Sequence, residues 1–163
     1  MKKMLIVCGS GGHSVQALIL HKQLGNSFIY EFMLDRKDKI TINKLKEFRT
    51  YEATEIRGKK ENIFITAFRS IICSFQSLVI LIKSWPDVIV STGPGVAIPI
   101  TFFGKIFGKK IIFIESWSRV NTKSYAGKII YKYADIFFVQ WPEMITNYPN
   151  AIYAGRFDAL EFK

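Results

Sequence analysis

The sequence predicts an α/β fold, a doubly wound, Rossmann-like parallel sheet with helices on both of its faces. Short apolar runs alternate with helix-length stretches along all 163 residues, as in chains of βαβ units. Runs such as Met4–Cys8 are continuously apolar, which is typical of parallel strands buried on both faces, whereas Tyr51–Arg57 alternates. The length suits one domain, so we expect residues 1–163 to form a single Rossmann-like domain.

The elements follow in order from the apolar pattern. The first strand, Met4–Cys8, enters a glycine turn, and Ser14 is predicted to cap the next helix, which ends near Gly25. Residues 36–49 carry no clear pattern. Later strands are predicted at Phe28–Leu34, Tyr51–Arg57, Asp87–Val90, Lys110–Ile114, Ile136–Gln140 and Ala151–Ala154. Later helices are predicted at Asn62–Ile82, Val96–Phe107 and Ser124–Tyr133.

The charge balance indicates the kind of partner. The formal net charge is +10, from 23 Lys and Arg against 13 Asp and Glu. Such a surplus favours phosphates, lipid headgroups, nucleic acid or an acidic protein. Because no nucleic-acid motif is present and the lysines are scattered, we expect no nucleic-acid partner. Aromatic residues make up 15% of the chain, which beside this charge favours a membrane surface.

The cysteines and the N-terminus indicate the compartment. Cys8 and Cys73 lie in apolar runs without metal-ligand spacing, which predicts two reduced, buried thiols and no metal site. The apolar run that follows Lys3 is too short for a signal peptide. We therefore expect a cytoplasmic location.

The loop after the first strand predicts an anion site. Its glycines let backbone N–H groups approach a phosphate or pyrophosphate at a helix N-terminus, although a tight structural turn is the alternative. Ser14 replaces the third glycine of a dinucleotide fingerprint, and the Gly-Lys-Ser/Thr of a Walker loop is absent from this turn. His13 is a general base or a phosphate ligand, or else a capping or solvent-facing histidine. The predicted ligands here are Gly9, Ser10, Gly11, Gly12 and Ser14.

Three more polar loops follow predicted strands, at 92–95, 115–119 and 140–143. Ligands of open parallel sheets bind at the carboxyl ends of the strands, so we expect the loops to converge. Arg119 would hold phosphates by charge-assisted hydrogen bonds. Trp117 and Trp141 are equally compatible with core packing. The other predicted ligands in these loops are Gly93, Gly95 and Ser116.

The long helix predicted at 62–82 is amphipathic, with a polar stripe and a broad apolar face that we expect to be mostly buried against the sheet. The uncharged run after Arg69 is shorter than the ~20 residues of a spanning helix. Aromatic residues interleaved with lysines near two helix ends predict a patch that rests on an anionic bilayer. This membrane patch comprises Leu81, Ile82, Lys83, Trp85, Phe102, Phe103, Lys105, Phe107, Lys109 and Lys110.

Four motifs together resemble the asparagine-linked-glycosylation-fourteen family, whose bacterial relatives are encoded in capsule and exopolysaccharide clusters. They are Gly-Ser-Gly-Gly-His-Ser at 9–14, Thr-Gly-Pro-Gly at 92–95, Glu-Ser-Trp-Ser-Arg-Val at 115–120, and Gln-Trp-Pro-Glu at 140–143 with Tyr-Ala-Gly at 153–155. The resemblance implies the N-terminal half of a GT-B glycosyltransferase, made as a separate subunit that is inactive alone.

The resemblance also implies a function and partners. The chain would bind a polyprenyl-diphosphate-linked sugar, peripherally attached to the inner face of the cell membrane, and would recruit a subunit that holds the UDP-sugar. No cofactor is expected. An inverting transfer needs a base for the acceptor hydroxyl, and His13 and Glu115 are both of suitable type. We assign Gln140, Trp141 and Glu143 to the partner interface.

Two other functions stay open at this point. In a dinucleotide-binding module, Asp35 after the second strand would hold a ribose, although Ser14 argues against that class. In a scaffold, the chain would activate its partner without touching substrate.

Overall fold

The structure is a computed structural model that describes residues 1–56 and 62–156. Its strands are β1 (Lys3–Gly9), β2 (Ile29–Asp35), β3 (Arg49–Ala53), β4 (Val88–Ser91), β5 (Lys110–Ile114), β6 (Ile136–Val139) and β7 (Ile152–Tyr153). Its helices are α1 (Gly12–Leu24), α2 (Lys39–Lys44), α3 (Ile63–Ser84), α4 (Ala97–Ile106) and α5 (Tyr125–Ile130), followed by a 3₁₀ helix at Pro142–Ile145.

The seven strands form one sheet in the order β3-β2-β1-β4-β5-β6-β7, and every neighbouring pair is parallel. The chain moves outward from β1 to β3, returns to the other side of β1, and then moves outward again to β7. The direction of winding therefore reverses between β1 and β4, which is where open α/β sheets bind ligands. The predicted doubly wound parallel sheet is confirmed.

Alternate residues of the strands build a core on each face of the sheet. Met4 and Ile6 pack towards α1, in the same cluster as Phe32. Leu5 and Val7 pack in the cluster that contains residues of α3, α4 and α5. This two-sided burial explains why an inner strand such as β1 is almost continuously apolar, whereas the edge strand β3 is not.

Both cysteines are free and buried, as predicted. Burial raises the pKa of the Cys73 thiol to about 11 and also raises that of Cys8. Both thiols are therefore protonated at neutral pH.

The first turn differs from the prediction, and a helix appears where none was predicted. Helix α1 begins at Gly12, with Gly11 before it at a positive φ of 61°. Ser14 lies inside the first turn, so its predicted role as the cap is wrong. Asp38 caps α2 by accepting a hydrogen bond from the Thr41 N–H. The sequence pattern of residues 36–49 did not predict this helix. Arg57, the predicted end of the third strand, lies outside the described residues.

The predicted burial of the long helix is wrong for much of its length. Helix α3 packs on the fold through side chains from Cys73 onwards, Leu81 among them. Its other side is apolar and exposed, and within the described ranges α3 is the one helix long and apolar enough to cross a membrane by length and composition alone. We call this side the α3 face; it consists of Phe64, Phe68, Ile71 and Phe75.

Candidate functional site

A groove of about 870 Å³ runs along the carboxyl edge of the sheet. Its floor is formed by the loops that follow β1, β4 and β5 and by residues at the ends of β2 and β3, and its walls are formed by α3, α4 and α5. The groove covers the β1–β4 boundary, where the topology predicts a ligand site. The predicted ligands that line it are Gly9, Ser10, Gly93, Gly95, Ser116 and Arg119, together with His13.

The other predicted anion ligands lie outside the groove lining. Gly11 and Gly12 are exposed beside it. Ser14 is buried, and its hydroxyl donates to the Asp38 carboxylate at 2.7 Å and contacts the Gly9 carbonyl at 3.3 Å. Ser14 therefore joins α1 to the loop before α2 rather than facing a ligand.

Asp38 already places a carboxylate at the start of α1. Burial alone would raise its pKa, but hydrogen bonds from Ser14, Thr41 and the Gly11 N–H outweigh burial and hold the pKa below its usual value. The negative charge that a helix N-terminus favours is thus supplied by the protein at α1. The N-terminus of α4, which has no side-chain cap and follows Gly93 and Gly95, faces the groove instead.

His13 has the geometry of a neutral base. Its Nδ1 lies 2.6 Å from the Thr92 carbonyl oxygen, and the Thr92 hydroxyl donates back to the His13 carbonyl at 2.9 Å. Because a carbonyl only accepts, Nδ1 carries the proton and Nε2 keeps its lone pair. Burial lowers the pKa of the imidazole, outweighing the opposing effects of Thr92 and Glu115. The half-buried ring is therefore neutral at pH 7 and lines the groove.

Gly93 makes room for this imidazole. Its φ is 102°, a conformation that residues with a Cβ rarely adopt. A Cβ there would lie 3.2 Å from Cε1 of His13. The second glycine turn thus packs directly against the candidate base.

Glu115 lies in a different environment. It is 1% exposed and is not part of the groove lining. One carboxylate oxygen accepts from the Ser116 N–H at 2.9 Å. The other accepts from the Ser124 N–H at 3.2 Å, the Ser124 hydroxyl at 3.0 Å and the Tyr148 hydroxyl at 2.8 Å. A Cβ at Gly127 would collide with this cluster. Through these hydrogen bonds Glu115 connects its loop to the start of α5 and to Tyr148.

Gln140, assigned to a partner interface, is 3% exposed and joins loops inside the protein. Its Nε2 donates to Oε1 of Gln16 at 2.7 Å and to the Glu115 carbonyl at 2.9 Å. The same Gln16 oxygen accepts from the Trp117 N–H at 3.3 Å. A surface role for Gln140 is therefore wrong. Gln16 was missed because it stands in a helix outside any motif.

Trp117 and Trp141 form a half-buried cluster at the β6 end of the edge, and Trp141 also packs against the hydrophobic core. The Trp141 indole donates to the Trp117 carbonyl at 2.6 Å. The Arg156 guanidinium lies 5.1 Å from the Trp141 ring centroid and 6.0 Å from that of Trp117. Glu143 is exposed next to this cluster. Two of the three assigned interface residues thus reach the surface.

Most of the predicted membrane patch is exposed and held together by its own contacts. Trp85 packs edge-to-face on Phe107, and the Lys109 ammonium lies 3.9 Å from the Trp85 ring centroid. Lys105 is exposed but pairs with Asp135 at 2.6 Å. Leu81 is fully buried, so its place in the patch is wrong. The other exposed members are Ile82, Lys83, Phe102 and Lys110, whereas Phe103 is half-buried.

Comparison with solved structures defines the class of the fold. The chain is similar to a crystal structure of Acinetobacter baumannii MurG, with a TM-score of 0.71 and 18% identity over 88% of this chain and 43% of that one. A co-structure of S. aureus MnaA with UDP also matches with a TM-score of 0.71, at 12% identity over 99% of this chain and 46% of that one. The chain spans less than half the length of either. Its fold is that of the N-terminal half of a GT-B glycosyltransferase.

The sequence comparisons define the family. Residues 4–157 match the family model described as "Oligosaccharide biosynthesis protein Alg14 like". The human UDP-N-acetylglucosamine transferase subunit ALG14 is 30% identical over an alignment of 176 residues, gaps included, that covers 94% of this chain and 82% of the relative. The Schizosaccharomyces pombe subunit is 31% identical over 173 residues, with the same coverage. The chain therefore belongs to the Alg14 family, as its motifs indicated.

Proposed function

We propose that this chain is the acceptor-binding subunit of a two-component UDP-sugar-dependent glycosyltransferase. It binds a polyprenyl-diphosphate-linked sugar at the cytoplasmic face of the membrane and recruits the donor-binding catalytic subunit, in polysaccharide or lipid-linked oligosaccharide synthesis. The observation that carries the proposal is that one groove contains the neutral His13, two glycine loops with Arg119, and an apolar end formed by Pro99, Phe102 and Phe103. The relatives named as UDP-N-acetylglucosamine transferase subunits support UDP-N-acetylglucosamine as the donor.

The diphosphate is proposed to lie over β4 and β5. There the Gly93–Gly95 loop leads into α4, whose N-terminus has no side-chain cap. Arg119 lines the same part of the groove and supplies charge-assisted hydrogen bonds. The Asp38 carboxylate beside Gly11 disfavours a phosphate at α1, which moves the site away from the first glycine loop.

The lipid is proposed to leave the groove across α4. Pro99, Phe102 and Phe103 line the groove, and Phe102 is also exposed on the outer surface. Helices α3 and α4 pack side by side, and the α3 face is proposed to extend this apolar surface. Because α3 also packs on the sheet, it would lie on a bilayer rather than cross it. Attachment is thus peripheral.

His13 is proposed as the base that takes the proton of the attacking sugar hydroxyl. Its Nε2 has a free lone pair, and its lowered pKa keeps that lone pair available at neutral pH. Glu115 is a poorer candidate because its carboxylate oxygens are occupied by Ser116, Ser124 and Tyr148.

The donor-binding subunit is proposed to close the groove. A GT-B active site lies between two Rossmann-like halves, and the described residues form one of them. Trp141 and Glu143 reach the surface at the same edge as the groove. Through its indole, Trp141 is bonded to the Trp117 loop, so a partner seated here would contact the acceptor site directly.

Complementation of cell extracts tests the proposal. We expect the purified chain, supplied with UDP-[¹⁴C]N-acetylglucosamine and native membranes stripped of peripheral protein, to transfer no sugar to lipid. An extract from cells lacking this gene should also be inactive, and mixing the two should restore transfer. Robust transfer by the chain alone would contradict the two-component proposal. Restoration by a variant with Arg119→Ala and His13→Ala would instead show a scaffold.

A further inference from the structure

We propose that the groove has a separate subsite for the sugar of the acceptor, on the β2–β3 side of His13. This inference rests on the proposed function and goes beyond it by assigning residues to the sugar. We call this part the hydroxyl end; its polar lining is Asp35, Glu55, Thr66, Ser70 and Ser74, and the neighbouring Ile56 and Ile63 also line the groove.

The hydroxyl end is built from two strand ends and one helix. Asp35 is the last residue of β2 and is 2% exposed although it lines the groove. Glu55 follows β3. Thr66, Ser70 and Ser74 are four residues apart on α3, so they form one stripe on a single side of the helix. This stripe lines the groove, whereas the α3 face is exposed.

The side chains at this end offer hydrogen-bond acceptors. The hydroxyls of Thr66, Ser70 and Ser74 each donate to the carbonyl one turn earlier, at 3.3, 2.8 and 2.7 Å, which leaves their lone pairs for a ligand. Carboxylates also only accept when ionised. Nearby donors are taken up, since the Lys37 N–H bonds to Asp35 and the Lys37 ammonium pairs with Glu55 at 3.7 Å.

Acceptors of this kind select a class of ligand. Phosphate is repelled by the carboxylates, and the hydroxyls of this end already donate to backbone carbonyls of α3 and its cap. A ligand rich in O–H and N–H donors fits, and sugars are such ligands. The hydroxyl end therefore complements a sugar, whereas the adjoining loops complement a diphosphate.

The order of these parts along the sheet edge agrees with one ligand. The hydroxyl end lies at β3 and β2, His13 at β1, the Gly93–Gly95 loop at β4 and Arg119 after β5. A sugar and a diphosphate are joined in the same order, and the lipid would leave from the diphosphate across α4. A sugar bound here would lie beside His13, which the transfer of its hydroxyl proton requires.

Calorimetry on the purified full chain tests the subsite without the partner. The probes are geranyl diphosphate esters of equal charge, one bearing a methyl group and the others N-acetylglucosamine, glucose or galactose. We expect at least one sugar to bind about tenfold tighter than the methyl ester. Ser70→Ala with Ser74→Ala should remove most of that gain and leave the methyl ester unaffected. Ser27→Ala, a serine that bonds to Leu24 outside the groove, is the matched control.

The outcomes separate this inference from the proposed function. Equal binding of the methyl ester and of every sugar ester would overturn the subsite while supporting the diphosphate site. Equal weakening of methyl and sugar esters by the double variant would also overturn it. Binding of no ester would overturn both proposals. If the double variant melts early, Asp35→Asn repeats the test with the size of the side chain kept.

Discussion

At the scale of single residues, the structure separates two side chains that the sequence left equivalent. His13 lines the groove with one ring nitrogen bonded to Thr92, whereas the Glu115 carboxylate is buried among Ser124 and Tyr148. Both follow strands and both are of a type suited to acid–base chemistry. Only their hydrogen-bond partners, which come from other parts of the chain, distinguish the candidate base His13 from Glu115, which connects elements inside the protein.

His13→Gln should lower turnover in the complementation assay by about 10²–10⁴-fold, because the amide cannot take the hydroxyl proton. The melting temperature should change little, since the Gln side chain can still bond to the Thr92 carbonyl. His21→Gln is the matched control. That histidine contacts Tyr30 and Phe48 on the other side of the sheet, so its loss should affect stability and not turnover.

The pH profile of the same assay provides an independent check on His13. Burial lowers the pKa of its imidazole, so the base form persists below the ordinary value of about 6.5. The acid limb of kcat/KM should therefore have its midpoint below pH 6.5 and should vanish in His13→Gln. An early-melting His13→Gln variant, or a stable one with near-normal turnover, contradicts the assignment.

Glu115→Gln should destabilise the fold by about 1–3 kcal/mol, because the amide places a donor group against N–H and O–H donors in a buried site. Thermal melting measures the loss, and Glu143→Gln, an exposed change of the same kind, should leave the melting temperature unchanged. A Glu115→Gln variant of normal stability that has lost turnover would instead identify Glu115 as the base.

At the scale of elements, α3 shows what a hydrophobic pattern leaves open. The sequence predicted both of its sides, an apolar one and a polar one, but assigned the apolar side to the core. In the structure the serine stripe lines the groove and the α3 face is exposed. Periodicity reports that two sides differ and not which solvent each meets, because a bilayer and a protein core favour the same side chains.

Phe68→Ser together with Phe75→Ser should lower binding to anionic vesicles at least tenfold, since each ring removes apolar area from the bilayer contact. Flotation with phosphatidylglycerol-containing vesicles measures the effect. Ile40→Ser is the control, because Ile40 is equally exposed but lies on α2. High salt should weaken binding further through the lysines near Trp85. Unchanged flotation of the double variant would remove the α3 face from the membrane contact.

At the scale of the whole molecule, the fold was predictable and the connections inside the site were not. Continuous apolar strands separated by helices leave few arrangements other than a doubly wound sheet, and that topology brings the strand-end loops together. The bonds of Ser14 to Asp38, of Gln16 to Trp117 and of Gln16 to Gln140 join residues 24, 101 and 124 positions apart. No local spacing in the sequence encodes such pairs. The predicted ligand Ser14 and the predicted interface residue Gln140 are therefore buried residues that connect elements inside the protein.

Because α3 has the serine stripe on one side and the α3 face on the other, a single helix separates the groove from the proposed bilayer by about its own diameter, ~10 Å. On the proposed function, a lipid carrier would then reach the site by lateral diffusion and would not be extracted into water. The rate at which the carrier meets the subunit would then depend on the number of carriers per unit area of membrane. Diluting the carrier with inert lipid would slow the reaction, whereas diluting the vesicles with buffer would leave the turnover rate of the bound subunits unchanged.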